Sequence, residues 1–223
     1  MGKQISKKND KAVGEKGKFA ATLEPIVTYT GVTMYPLAPK KSDFRITDIA
    51  HALSMMTRAS GHFTTFFSVG QHCLNCSIEG EARGYSKRLQ LALLLHDATE
   101  AYISDLTRPV KAGLPKYREI EDKLSETIFE AFGLYKFEKE EEKMVKEVDD
   151  DMLLYEFAHL HISGGLKGTY HLKQNHSLAF RNMKDVENEY IERFQYLIHM
   201  KCDHESEKDN ITVESEDGND RGY

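Results

Sequence analysis

At 223 residues, with 40% hydrophobic and 30% charged content, the chain is long enough for one well-filled core and has the balance of a globular domain. Its net charge of −6 argues against holding a nucleic-acid polymer through an overall positive field, while a small phosphate ligand met by a few local cations stays open. Three cysteines, Cys73, Cys76 and Cys202, make no disulfide framework, and no run approaches about 18 consecutive apolar residues, so a reducing, cytoplasmic setting without a membrane span is expected.

Residues 1–20 are rich in Lys, Gly and Asn without an apolar period, and a disordered tail is expected there. Their start, MGKQIS, matches an N-acylation pattern that polar segments also produce by chance, and no membrane attachment is expected from it. One domain is expected over residues 21–200, followed by an acidic, disordered tail over 201–223. Between Thr22 and Pro39, Ile26, Val27, Tyr29, Val32 and Tyr35 flank Gly31, which predicts a short hairpin or extended arm.

From Thr47 the period becomes helical. Ile46, Ile49, Ala50, Leu53 and Met56 share a face, Thr47 is a candidate cap, and the helix is expected to end near Arg58. Ser68-Val69-Gly70-Gln71 reads as a capping box, and the helix it opens carries Val69, His72, Cys73 and Cys76 on one side. After Ser86 a helix is expected on which Leu89, Leu93, His96 and Glu100 share a face. Leu114-Pro115 opens another, with Ile120, Leu124 and Ile128 inward and Gly133 as its stop. A long helix follows from Glu138 to about His161, and a last amphipathic one carries Val186, Tyr190, Phe194 and Leu197. The prediction is an all-α bundle of about six or seven helices.

The chemistry gathers in Leu91–Lys111, LALLLHDATEAYISDLTRPVK. A mostly buried helix rarely places His96 and Asp97 side by side without a partner, and an imidazole beside a carboxylate suits a transition metal. A satisfied buried histidine beside a capping aspartate is the plain alternative. The best further donors are His72 and Asp149, the latter flanked at three- and four-residue offsets by Val145, Met152 and Leu153; Asp149 could equally be a solvated member of the run Asp149-Asp150-Asp151. Cys73-x-x-Cys76 has metal or redox spacing but lies within a helix without a second pair, so packing is expected. His51 reads as a capping or core histidine, with lining of the pocket as the alternative, His159, His161, His171 and His176 as surface or supporting residues, and Glu156 as a support for Arg58 or for a ligand.

The order His72, His96-Asp97, Asp149, together with DIAHALSMMTRASGHFTTFFSVGQHCL, LLLHDATEAYISDLTRPVK, LPKYREIED and VKEVD, resembles the HD-domain metal-dependent phosphohydrolases, in particular their bacterial and prophage 5′-deoxynucleotidase branch. The resemblance covers about residues 33–200. It implies an HD helical fold in which His72, His96, Asp97 and Asp149 hold one divalent metal, with imidazole and carboxylate donors suiting Mn, Co, Fe, Ni or Zn. It implies that Arg58 orients the substrate phosphate, that Asp97 and Asp105 also face the substrate, and that Glu100 and Asp105 act near the reacting water and leaving group. Either acid could serve as the base. Arg108, with Lys111, would contact further phosphates, against the plain reading of a solvated loop charge. No histidine lies between Asp97 and Asp149, which favours a single metal.

The implied reaction is removal of phosphate from (deoxy)nucleoside 5′-monophosphates by a metal-activated water, in a homodimer. Two rivals stand beside it: release of tripolyphosphate from a deoxynucleoside triphosphate, and an idle nucleotide-binding regulator. The chain has no tryptophan, and Ala59 follows Arg58 where some members of the branch carry a sugar-sensing aromatic, so preference for deoxyribose is not implied.

Overall fold

The apolar periods become eight α-helices in the computed structural model, which describes residues 24–209 and side chains through His199. In chain order they are α1 (Ile46–Met55), α2 (Val69–Ala82), α3 (Lys87–Leu95), α4 (Glu100–Ile103), α5 (Arg108–Ala112), α6 (Pro115–Ala131), α7 (Lys139–Leu160) and α8 (Met183–Asp209). Strands β1 (Ile26–Val27) and β2 (Thr33–Met34) pair antiparallel, with Ile26 opposite Met34. The expected all-α architecture with a hairpin arm is the one observed; α4 and α5, of four and five residues, are the additions.

The hairpin is fastened to α1 through Asp48, buried in that helix's first turn, whose carboxylate accepts from Thr28 Oγ1 (2.9 Å), Thr30 N (2.6 Å) and Thr30 Oγ1 (2.9 Å). Helices α2 and α3 pack on each other and both contact α7 and α8. Leu91, Leu93, Leu94 and Leu95 are all fully buried, and each contributes up to about 1.5–3 kcal/mol, so packing rather than capping holds this nine-residue helix. Gly70 lets α2 run against the end of α1: a Cβ there would stand 3.1 Å from Ser54 N and 3.2 Å from the Leu53 backbone carbon. The main core joins α1, α2, α3, α6 and α8, and a smaller one of Cys76, Leu93, Val148, Met152 and Tyr155 joins α2, α3 and α7.

Several boundaries differ from expectation. Helix α1 begins at Ile46 on Arg45, without a side-chain cap from Thr47, and ends at Met55 instead of Arg58. Ser68 caps α2 as expected, accepting from Gln71 N (3.0 Å), but Gln71 turns away to donate to the Ser177 and Ala179 carbonyls, so the reciprocal half of the capping box is absent. The single helix expected through His96 and Glu100 is two. Between α3 and α4 the chain tightens into turns closed by Ala98 N→Leu95 O and Glu100 N→Asp97 O, both 3.0 Å, the three-residue spacing of a 3₁₀ turn. The C-terminal boundary also moves, because α8 continues to Asp209. The apolar stripe stops at Ile198, but the straight-chain residues beyond it keep helix propensity. The expectations for residues 1–20, the N-acylation pattern included, and for the tail beyond residue 209 lie outside the described residues. No described helix is long and apolar enough to cross a membrane.

Candidate metal centre

Three elements deliver the four predicted donors to one place. His72 stands one turn into α2, His96 and Asp97 occupy the tightened turn after α3, and Asp149 lies midway along α7. Arg58 arrives by a different device. An isolated bridge between Thr57 and Ser68, with Arg58 N→Phe67 O at 2.7 Å and Val69 N→Met56 O at 3.0 Å, lays the chain before Arg58 along the start of α2. Ala59 and Ser60 then take the left-handed conformation (φ 54° and 51°), an unusual state for two successive non-glycine residues and one that concentrates at functional sites.

The imidazoles are aimed by their Nδ1 atoms. His96 Nδ1 lies 2.7 Å from the Leu93 carbonyl, which can only accept, and His72 Nδ1 lies 2.6 Å from Glu156 Oε1. With a proton on each Nδ1, both Nε2 lone pairs face inward, 3.2 Å apart. His72 Nε2 is 3.3 Å from Asp149 Oδ1 and 3.8 Å from Asp97 Oδ2; His96 Nε2 is 3.7 Å and 3.4 Å from the same two oxygens. A tetrahedron with arms of about 2.0–2.2 Å, the usual metal–N and metal–O lengths, has edges of about 3.3–3.6 Å. The five separations bracket that range. Two facing lone pairs and two carboxylate oxygens at these distances make a donor set that a divalent cation fits.

The electrostatics agree. Burial opposes charge on both imidazoles, yet Cys76, Glu156 and Asp149 around His72, and Asp97, Cys73 and Asp149 around His96, hold both well above the ordinary histidine range. Burial likewise opposes charge on the carboxylates, but hydrogen bonds from His72 and His96 hold Asp149 well below its ordinary value, and the charges of His96, Arg58 and His72 lower Asp97. A site that raises its bases and depresses its acids is one that favours added positive charge.

Two thiols lie close to the same imidazoles. His72, Cys76 and His96, and likewise Cys73, His96 and Asp97, bring donor atoms within 4.8 Å of one another, so His/Cys/Asp groups able to hold a metal are present. Cys76 Sγ, however, is nearly equidistant from His72 Nε2 (3.6 Å) and Nδ1 (3.9 Å), which sets it against the ring rather than along the Nε2 lone pair. Burial pushes the Cys73 thiol up, away from the thiolate a metal requires. The carboxylates are the better donors.

Glu156, fully buried on α7, joins two functions. Its Oε1 accepts from His72, and its Oε2 accepts from Arg58 Nε at 3.2 Å. The guanidinium is thereby turned so that Nη1 donates to Asp97 Oδ2 (3.2 Å) and Nη2 sits 3.6 Å from Asp149 Oδ1. Glu100, at the start of α4, is buried with its Oε2 unpartnered among the described residues; burial first, then the charges of Asp97 and Asp105, push its carboxyl up to about 9. Asp105 is half-buried just beyond Ser104, which adopts φ 65°, ψ 159°, a region otherwise left to glycine. Arg108 opens α5 at the rim and donates through Nη2 to Asp149 Oδ2 (3.3 Å) and Asp150 Oδ1 (2.6 Å), so it is paired rather than freely solvated.

Sequence reasoning missed three neighbours: Tyr117, which donates to the Ser104 carbonyl (2.7 Å), the Lys111–Glu121 pair (2.6 Å), and the buried His176–Glu79 contact (2.9 Å) away from the centre. His51 is no ligand; it stacks on Tyr29 and meets Glu187 Oε2 at 3.0 Å.

No protein-family model matches the chain. It is similar to the uncharacterized protein YfdR of Escherichia coli K12, at 38% identity over 109 residues, 49% of this chain and 58% of that protein. It is also similar to the uncharacterized protein RCAP_rcc00048 of Rhodobacter capsulatus, at 40% identity over 104 residues, 44% of this chain and 53% of that protein. The chain thus spans a little over half the length of the curated relatives it matches.

Proposed function

We propose that the chain is a metal-dependent phosphohydrolase of the HD type that removes phosphate from (deoxy)nucleoside 5′-monophosphates. One observation carries the reading: His72, His96, Asp97 and Asp149 converge at metal-ligand spacing, and the Nη1–Nη2 edge of Arg58 faces the same oxygens.

A divalent metal held by those four side chains would supply charge neutralisation and a water of lowered pKa. The remaining work falls to the chain. Arg58, fixed through Nε by Glu156, offers a planar pair of donors to an incoming phosphate. Glu100 stands next to the His96–Asp97 turn in a pocket that excludes water from one of its oxygens, suited to holding the proton that the attacking water loses. Asp105, whose charge acts on Glu100, is suited to the leaving-group side. Net, a water oxygen adds to phosphorus, the P–O5′ bond breaks, and the nucleoside oxygen leaves with its electron pair and takes a proton.

The test is orthophosphate release by chelator-stripped protein from dNMPs and NMPs, with Mn²⁺, Co²⁺, Fe²⁺, Ni²⁺ or Zn²⁺ added back. Metal-dependent release that disappears in Asp97→Ala and Glu100→Ala is the expected result. Absence of turnover with every metal and nucleotide overturns the proposal.

A further inference from the structure

Between the end of α6 and the start of α7 lies a groove of about 640 Å³ to which no side chain of the metal centre contributes. Its floor is apolar. Leu134 belongs to the main core, Phe129, Phe137 and Val145 pack against it, and the two phenylalanine rings meet with centroids 5.4 Å apart. Its rim is acidic. Asp122 and Glu126 lie one turn apart on α6, and Glu142 stands opposite them in the first turn of α7. All three are exposed and make no side-chain hydrogen bond or ion pair among the described residues. Counting Glu130, the lining sets four carboxylates against one cation, Lys136, a formal charge of −3.

The wall of the groove is braced from behind. Arg88 on α3 donates through Nη2 to the carbonyls of Tyr135 (2.6 Å) and Lys136 (2.8 Å), and its guanidinium lies 4.2 Å from the centroid of the Phe137 ring. One lysine already shows how the rim is used. Lys41, in the turn that follows the hairpin arm, sets its Nζ 2.8 Å from Glu130 Oε2 and 5.7 Å from the centroid of the Tyr135 ring. Unpaired carboxylates above an apolar floor suit a segment that intersperses lysines with apolar side chains, because lysine stems lie along apolar surface while their heads meet charge. Residues 1–23, which precede the described chain, have that composition. Six lysines between Lys3 and Lys18 stand against Asp10 and Glu15, a net of +4, with Ile5 and Val13 among them. Residues 210–223 have the wrong sign, with four acids against Arg221. Reach is ample: twenty extended residues span about 70 Å, whereas a domain of this size has a radius of gyration of about 16 Å.

We propose that this groove is the docking surface for the chain's own basic N-terminal segment, Lys3 to Lys18, with lysine heads on Asp122, Glu126 and Glu142 and apolar side chains on the floor. The contact is within one chain and is independent of the phosphohydrolase reading. A segment of that composition has too little apolar surface to build a core by itself, and a braced groove of opposite charge supplies what it lacks. Being electrostatic at its rim, the contact weakens as ionic strength rises.

The experiment has two arms, both on the full chain. The first is carbodiimide cross-linking of an equal mixture of isotope-labelled and unlabelled protein at low ionic strength, with the products mapped by mass spectrometry. The expected result is links from Lys3, Lys7, Lys8 or Lys11 to Asp122, Glu126 or Glu142 within single chains, reduced on the order of tenfold in about 0.5 M salt. The second is amide hydrogen exchange over residues 129–137 in the wild type, in Lys7→Glu/Lys8→Glu/Lys11→Glu, in Glu126→Lys/Glu142→Lys and in the protein carrying all five substitutions. The expected result is exchange several-fold faster in either charge-reversed variant and restored toward wild type when the two sets are combined, since swapped charges attract again. A merely structural role for Glu126 and Glu142 gives no such restoration. Links that join labelled to unlabelled chains assign the groove to a second copy and overturn the proposal. Exchange equal in all four proteins, or left fast in the combined variant, overturns it as well.

Discussion

Glu156→Gln isolates the residue on which the geometry of the centre depends. The carboxylate is fully buried and accepts from two donors, His72 Nδ1 at 2.6 Å and Arg58 Nε at 3.2 Å. Glutamine keeps the shape but offers one acceptor and one amide donor, so one of the two contacts becomes donor against donor. The variant also leaves the Arg58 charge short of a buried counter-ion. Hydrogen bonds to charged groups contribute about 1.5–3 kcal/mol, and breaking a buried pair costs about 3–5 kcal/mol, so a loss of about 3 kcal/mol is a fair working figure. For a domain of this size that lowers the Tm of the chelator-stripped protein by about 6–12 °C. With His72 no longer held in its Nδ1–H tautomer, metal affinity should fall roughly 10- to 100-fold. Differential scanning calorimetry reads the first effect and competition against a chromophoric chelator the second. A Glu156→Gln protein with Tm within about 2 °C of wild type and metal affinity within about twofold refutes the reasoning, because both effects follow from the same two contacts.

Two further predictions concern the scaffold. Ser104→Gly should stabilise the chain by about 1–2 kcal/mol, since the strain of φ 65°, ψ 159° exceeds the entropy cost of glycine, whereas Ser104→Val should destabilise it; opposite signs in denaturant midpoints would contradict the backbone argument. Burial opposes ionisation of Glu79, but His176, Arg83 and the Lys173 N–H overcome it and lower its pKa. A lowered folded pKa means that the stabilisation is present above the ordinary value of 4.5 and is lost as pH falls below it through the folded value, so Tm of wild type should drop more steeply there than Tm of Glu79→Gln. Parallel curves for the two proteins would remove Glu79 from the account.

Much of this centre was legible because its donors sit on strongly periodic segments. Ser68 caps α2 and so fixes the phase that turns His72 inward, and the run Leu91–Leu95 can only be a buried helix, which puts His96 and Asp97 at its inner end. The choice of Asp149 from three consecutive aspartates followed from its apolar neighbours. In the fold Asp151 pairs with Arg83 and Asp150 with Lys146, and Asp149 alone of the three turns its Oδ1 to the imidazoles. What the sequence hid has no local signal. A 3.6-residue period runs on smoothly through residues 96–99, whereas the chain tightens there into the turns that present both members of the pair. The bridge that brings Arg58 to α2 joins Thr57 to Ser68 across an irregular segment, and the Lys111–Glu121 and Glu79–His176 contacts link residues 10 and 97 positions apart. Such pairings are decided by tertiary packing.

The most direct measurement of the central claim is a Co²⁺ titration of the chelator-stripped protein, followed by its visible absorption and by calorimetry, in wild type and in His72→Ala, His96→Ala, Asp97→Ala and Asp149→Ala. The account predicts one saturable equivalent per chain, with ligand-field bands that each of the four substitutions weakens or abolishes while Cys76→Ser leaves them in place. Binding that saturates equally well in all four variants, or no saturable binding in the wild type, would contradict it.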